Sequence, residues 1–245
     1  MMKSAREHST IDRVRGKLCK IAFESLYGPF AWAYDWVSQT FFLGQWRLWQ
    51  RASLNFVEGK RVLEVGMGTG NLQIDLLKRG YDAYGIDLSP QMLREATRKA
   101  RRLGVEQFKI CRATASALPF PSDYFDSVVS TFPSEYISQA DTLGEIARVL
   151  KPGGRLVIVP GGWLTSKDVK SKTFEGVARV VYGYKGSKDT SQIAEQAREG
   201  KGWFKWIAAL RERLGEAGFE MKAHVASNER GACLVIVGVK PESQR

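Results

Sequence analysis

Histidine and cysteine are scarce in this chain, with two histidines and three cysteines in 245 residues. Cys19, Cys111 and Cys233 are far apart and odd in number, which excludes a disulfide framework and a CxxC metal knuckle. With only His8 and His224 besides, no metal site is expected. The runs FKICRA and ACLVIVGV make Cys111 and Cys233 small core residues of strands, and His224 falls on the polar alternation of MKAHVAS, a surface or edge position. Long apolar runs are missing too. The longest stretches without a charge, Trp36 to Trp46 and Leu156 to Ser166, have 11 residues each, whereas a bilayer span takes about 20. No membrane helix is expected. The opening MMKSAREHSTIDRVRGK lacks an apolar h-region and a cleavage site, so a secretory signal is not expected and a cytoplasmic location is. No internal repeat or low-complexity tract is visible.

Acidic residues are outnumbered, 26 against 37 basic ones, for a net charge of +11. Residues 61–160 hold 13 basic and 11 acidic side chains, so most of the excess lies in the flanks. Such flanks suit an anionic partner: a membrane surface, an acidic substrate or nucleic acid. The densest run, Arg98 to Arg102 (RKARR), falls on a helix whose other face carries Met92, Leu93, Ala96, Ala100 and Leu103. It reads as a solvated helix face, with a phosphate-binding patch as the alternative.

Aromatic residues crowd into one place, nine of them between Tyr27 and Trp49. One reading is a pair of helices packed on the main domain; another is a lid over an apolar substrate, or an interfacial surface in which Trp meets lipid head groups. The two are compatible. Residues 1–57 are therefore assigned to a helical N-terminal lid or extension, and 58–245 to the main domain.

From Arg61 onward strands and helices alternate, the pattern of an α/β fold with a parallel sheet covered on both faces. The stretch RVLEVGMGTGNL gives a buried strand, then Gly66, Gly68 and Gly70 at alternate positions, then a helix from Asn71. DAYGID is the second strand, and Ser89-Pro90 caps and starts a helix running to about Leu103. QFKICRA and FDSVVST follow as strands three and four. A helix over 140–150 stops at Lys151-Pro152-Gly153-Gly154, and RLVIVP is strand five. Residues 161–202 read as an insertion. A helix over 203–217 precedes EMKAHVAS and ACLVIVGVK, whose short link NERG makes them antiparallel.

Alternating glycines after a strand let the backbone turn and let a ligand come close. Asp87 ends the second strand 21 residues after Gly66, where nucleotide-binding folds place an acid for ribose hydroxyls. Glu64, inside the strand just before the loop, would repel a pyrophosphate and suit a cationic ligand. A nicotinamide cofactor would want GxGxxG, whereas here position 69 is Thr and Gly comes at 70.

Five landmarks together resemble the class I S-adenosylmethionine (SAM) dependent methyltransferases, in particular the type 11 group: Glu64 to Gly70, Gly85 to Leu93 (GIDLSPQML), Ala115 to Phe120 (ASALPF), Phe125-Asp126, and Ala147 to Gly154 (ARVLKPGG). The resemblance implies a Rossmann-like, doubly wound, seven-stranded, mostly parallel sheet with an antiparallel last strand, and SAM as cofactor. It also implies roles. Gly66 and Gly68, with Gly70 completing the loop, let the backbone approach the methionine part, and Glu64 supports that end. Asp87 takes the ribose hydroxyls, Leu88 and Met92 pack near the adenine, and Thr114 and Ala115 sit at its edge. Thr114 stands where the group commonly has Asp. Thr131, at the end of strand four, joins the cofactor set. For Leu88 and Met92, plain core packing is the alternative.

Methyl transfer needs an aligned nucleophile, exclusion of water and, for some acceptors, a base. The segment Thr131 to Tyr136 (TFPSEY) is where this fold faces its substrate, which makes Glu135 and Tyr136 the candidates for base or substrate anchor. An Asn-Pro-Pro-aromatic motif and any RNA-binding module are absent, which argues against nucleic acid. The layout Tyr34-Asp35, Gly44, Arg47-Leu48-Trp49 is similar to the ubiquinone/menaquinone C-methyltransferases and to phospholipid N-methyltransferases. It implies that Tyr34 closes over the methionine end and that the acceptor is a small apolar molecule or lipid. Basic flanks with clustered Trp suit reversible contact with an anionic membrane surface, peripheral to a cytoplasmic location. RNA or protein as acceptor, and a non-catalytic SAM-binding scaffold, stay open as alternatives.

Overall fold

The computed structural model describes residues 44–164 and 203–242. These form a seven-stranded sheet with helices on both faces. The elements in order are α1 (Gln45–Ala52), a 3-10 turn (Ser53–Asn55), β1 (Arg61–Val65), α2 (Asn71–Lys78), β2 (Asp82–Asp87), α3 (Pro90–Arg102), β3 (Lys109–Arg112) and β4 (Phe125–Thr131). A second 3-10 turn (Glu135–Ser138), α4 (Ala140–Val149), β5 (Leu150–Leu164), α5 (Trp203–Glu216), β6 (Glu220–Ser227) and β7 (Gly231–Val239) complete it.

The strand order is β3-β2-β1-β4-β5-β7-β6. Strands β1 to β5 pair in parallel, and β7 runs antiparallel to both β5 and β6. The last strand of the chain is thus inserted between β5 and β6. Burial shows why: β7 is apolar and covered nearly throughout, whereas β6 is mostly exposed and takes the edge. His224 sits on that edge strand, exposed, its ring 4.7 Å from that of Phe56.

Period-two alternation splits the core into two layers. Leu63, Val65, Val128, Leu156, Ile158 and Ile236 pack with Leu143 and Ile146 of α4 and Leu210 and Leu214 of α5. On the other face Val62, Val129, Val157, Val159 and Val235 meet Leu72 and Leu76 of α2 and Trp49 of α1. Helix α1 is therefore part of the main domain's core. Of the aromatic-rich stretch, residues 27–43 lie outside the described residues, as does most of the expected 161–202 insertion.

Three expectations change. β5 is longer than RLVIVP: pairing starts at Leu150, shifts register through a bulge, resumes at Arg155 and continues to Leu164, so any insertion begins after that residue. On α3, Met92, Ala96 and Ala100 are buried but Leu103, the C-cap, is 52% exposed, because the helix ends before that side chain reaches the sheet. Cys233 is buried as expected, while Cys111, on short β3, is only half-buried. Among the described residues no helix is long and apolar enough to cross a membrane, and no cluster of His, Cys, Asp and Glu could hold a metal ion.

Candidate functional site

The chain runs outward from β1 through β2 to β3, then returns to place β4 on β1's other side. That reversal leaves a crevice at the carboxyl ends of β1 and β4, the usual ligand position in such sheets. A cleft of about 830 Å³ opens there. One wall is the glycine loop with Asp87, Leu88, Thr114 and Ala115; the other is Trp46, Gln50, Thr131, Phe132, Pro133 and Tyr136.

Gly66, Gly68 and Gly70 all have positive φ, at 71°, 54° and 74°. A Cβ at Gly66 would come within 2.5 Å of the Tyr136 hydroxyl, whereas one at Gly68 would meet no protein atom within 4 Å. The loop is packed from behind at Gly66 and bare at Gly68. Gly68 N–H donates to Asp87 Oδ2 at 2.8 Å, and Ser89 N–H donates to Asp87 Oδ1 at 2.8 Å. These bonds stabilise the carboxylate, but burial outweighs them and raises the Asp87 pKa above its usual value. Ser89 caps α3, its hydroxyl accepting from Met92 N–H at 3.3 Å.

Glu64 is 1% exposed and lies behind the loop, outside the cleft lining. Its Oε2 has no hydrogen-bond partner, nor do the side-chain amide atoms of buried Gln73. Burial pushes the Glu64 carboxyl well above the ordinary carboxylate range, opposed by the field of Arg47 and reinforced by Asp87 and Asp75. Arg47 is held in turn, its Nη2 on Asp75 at 2.6 Å and its Nη1 on Gln50 Oε1 at 3.0 Å. Gln50 passes the chain on, donating from Nε2 to Thr131 Oγ1 at 3.4 Å.

On the opposite wall Trp46 and Phe132 stack, ring centroids 3.6 Å apart and planes 18° from parallel. Phe132 has φ 53°, which costs a non-glycine residue roughly 1–3 kcal/mol. Its N–H bond to Val159 O at 2.7 Å and the ring stack hold it there. Tyr136 reaches under the loop, its hydroxyl 3.0 Å from Ser130 Oγ and donating to Val65 O at 3.3 Å.

The cleft therefore gathers Gly66, Gly68, Asp87, Leu88, Thr114, Ala115, Thr131 and Tyr136 from the sequence-derived set. Leu88 is 62% exposed, so the core alternative fails for it, whereas Met92 is fully buried beneath α3 and does not reach the cleft. Gly70 serves as the N-cap of α2. Glu135 is exposed and does not line the cleft. In a 3-10 turn, neighbouring side chains point about a third of a turn apart, so turning Tyr136 inward turns Glu135 out. Tyr34 lies outside the described residues. Gln50 and Phe132 were not singled out as site residues. An aromatic before proline at the end of strand four could have signalled Phe132; nothing local signals Gln50.

Residues 63–158 match the model of a family described as "Methyltransferase domain". The demethylmenaquinone methyltransferase of Thermus thermophilus is 36% identical over 140 residues, covering 55% of this chain and 63% of its own length. This chain thus spans somewhat under two thirds of that relative. The ubiquinone/menaquinone biosynthesis C-methyltransferase UbiE of Roseobacter denitrificans is 28% identical over 209 residues, covering 80% of this chain and 82% of its own. Among solved structures, the phosphoethanolamine N-methyltransferase 2 of Haemonchus contortus in complex with SAM shares the fold at a TM-score of 0.55. It is 18% identical and covers 86% of this chain and 57% of its own. With the sheet order, the bare glycine loop and Asp87 in place, residues 63–158 match a methyltransferase-domain family, and the described fold is similar to that of class I SAM-dependent methyltransferases.

Proposed function

We propose that this protein transfers the methyl group of SAM to a small, apolar, flat acceptor of the quinol type. The observation that carries the acceptor class is the stacked Trp46–Phe132 wall across the cleft from the glycine loop. Two parallel rings offer a flat apolar face, and offset stacking favours a planar partner. The names of the quinone-modifying relatives point the same way.

The residues present fit the cofactor. The space a side chain would fill at Gly68 is left open, and the unpartnered Glu64 oxygen is a latent acceptor behind the loop. Gly66 and Gly68 would admit the methionine part, Asp87 would take the ribose hydroxyls, and Leu88, Thr114, Ala115 and Thr131 would line the rest. When bound, SAM supplies both methyl and leaving group. The chain's own work is to align the acceptor on Trp46 and Phe132, keep water out, and hold or take the acceptor's proton at the Tyr136 hydroxyl.

The test is incubation of the protein with methyl-labelled SAM and a cell extract, then separation into lipid, small-molecule, protein and RNA fractions. Label in the lipid or apolar small-molecule fraction is expected. Label confined to protein or RNA would contradict the proposal, as would thermal stabilisation by NAD(P) but not by SAM.

A further inference from the structure

Outside the cleft, α3 and the edge strand β3 bound a second groove of about 610 Å³. Arg94, Arg98, Arg101, Arg102 and Arg112 line it, all exposed, and no carboxylate does. Arg98 is bridged to Glu95, and Arg112 Nε donates to Leu88 O at 3.0 Å. The guanidinium groups of Arg94, Arg101 and Arg102 have no ion pair or hydrogen bond with the described residues. Like charges at helical spacing repel, so a merely solvated face would gain by interspersed acids, and this one has only Glu95.

The groove floor is apolar, from Leu93 and Ile110, and Leu103 stands out at the C-terminal end of α3. From Arg94 to Arg102 of α3 the basic face extends about 12 Å. This is the layout of a surface that meets many anionic groups at once and dips one apolar side chain between them. Nucleic acid fits less well, because the groove has no aromatic side chain on which a base could stack.

We infer that the α3–β3 groove docks the protein on an anionic lipid bilayer, its arginines meeting phosphate and carboxylate head groups and Leu103 entering the interfacial layer. The phosphate-binding alternative for the RKARR run thereby acquires a partner, on a face that periodicity alone assigns to water. Arg112 ties this groove to Leu88, which lines the cleft. The docking does not rest on the apolar-acceptor proposal.

The experiment is co-sedimentation of the full chain with vesicles of phosphatidylcholine plus phosphatidylserine, against phosphatidylcholine alone. The variants are Leu103→Ser and the triple Arg94→Gln, Arg101→Gln, Arg102→Gln. Binding should require the anionic lipid and fall with salt. At roughly fivefold per arginine, the triple variant should bind roughly a hundredfold more weakly, with Leu103→Ser in between. Unchanged circular dichroism and unchanged stabilisation by SAM show that the variants are folded. Failure of SAM to stabilise any form would count against the methyltransferase proposal without touching the docking one. Docking is overturned by a wild type that ignores anionic vesicles, by a triple variant that binds as tightly as wild type, or by arginine-dependent binding of single-stranded RNA in place of vesicles.

Discussion

Gly66 and Gly68 stand two residues apart in one loop with similar φ, yet alanine at each should fail for a different reason. At either position an L-residue held in the left-handed region costs roughly 1–2 kcal/mol. For Gly68→Ala that is the whole folding cost, since the new methyl meets no protein atom within 4 Å. At Gly66 the methyl also lands within 2.5 Å of a Tyr136 hydroxyl already engaged with Ser130 and Val65. Overpacking adds roughly 1–3 kcal/mol, for roughly 2–5 kcal/mol in all. Binding should single out Gly68 as the residue facing open space. If that space belongs to SAM, the same methyl opposes the ligand by a comparable roughly 1–3 kcal/mol, a roughly five- to hundredfold loss of affinity. Urea unfolding gives the first pair of numbers and calorimetric titration with SAM gives the second. A Gly68→Ala protein that binds SAM as wild type does, or a Gly66→Ala protein no less stable than Gly68→Ala, would refute the reading of the loop.

Three further outcomes are expected. Trp46→Leu keeps the wall apolar but removes the ring stacked on Phe132, so the KM for an apolar acceptor should rise, with the roughly 0.5–1.5 kcal/mol of a stacked pair at stake. The Kd for SAM should hold, and steady-state kinetics beside calorimetry would show an equal loss in both if the wall served the cofactor instead. Glu64 is buried, with its carboxyl raised above the ordinary 4.5, so the folded state retains a proton that the unfolded chain releases. Its contribution to stability is full below about 4.5 and is lost as pH rises towards the raised folded value. Relative to wild type, Glu64→Gln should therefore gain stability with rising pH; a stability difference flat with pH in urea titrations would contradict this. Tyr136→Phe should lower kcat by roughly a hundredfold or more if its hydroxyl handles the acceptor's proton, with SAM affinity preserved; an unchanged kcat would remove it from the chemistry.

Local signals recovered most of the frame. The DAYGID and FDSVVST strands, the Ser89-Pro90 helix start and the closing hairpin all rest on short-range chemistry, and each appears where the residues place it. β5 escaped because its extension past Pro160 depends on β7 pairing alongside, a contact some 70 residues distant in sequence. The cofactor half of the cleft was legible because a glycine loop, a strand and an acid lie close together in the chain. The acceptor half was legible only at Thr131 to Tyr136, since Trp46, Gln50 and Phe132 meet only through the fold. Glu135 and Tyr136 show the limit at its sharpest: adjacent residues, equally plausible as a base, are separated by the direction of a single 3-10 turn. Charge runs are ambiguous for a related reason. Whether RKARR faces water or an anion depends on what β3 adds beside it, and β3 adds Arg112.

The central claim is methyl transfer from SAM to a flat apolar acceptor seated against Trp46 and Phe132. The most direct measurement is mass spectrometry of a reduced, demethylated naphthoquinone incubated with SAM and the purified protein, with heat-inactivated protein as control. The account predicts a product heavier by one methylene, formed in step with demethylated SAM. No product from a protein that SAM demonstrably stabilises would contradict it.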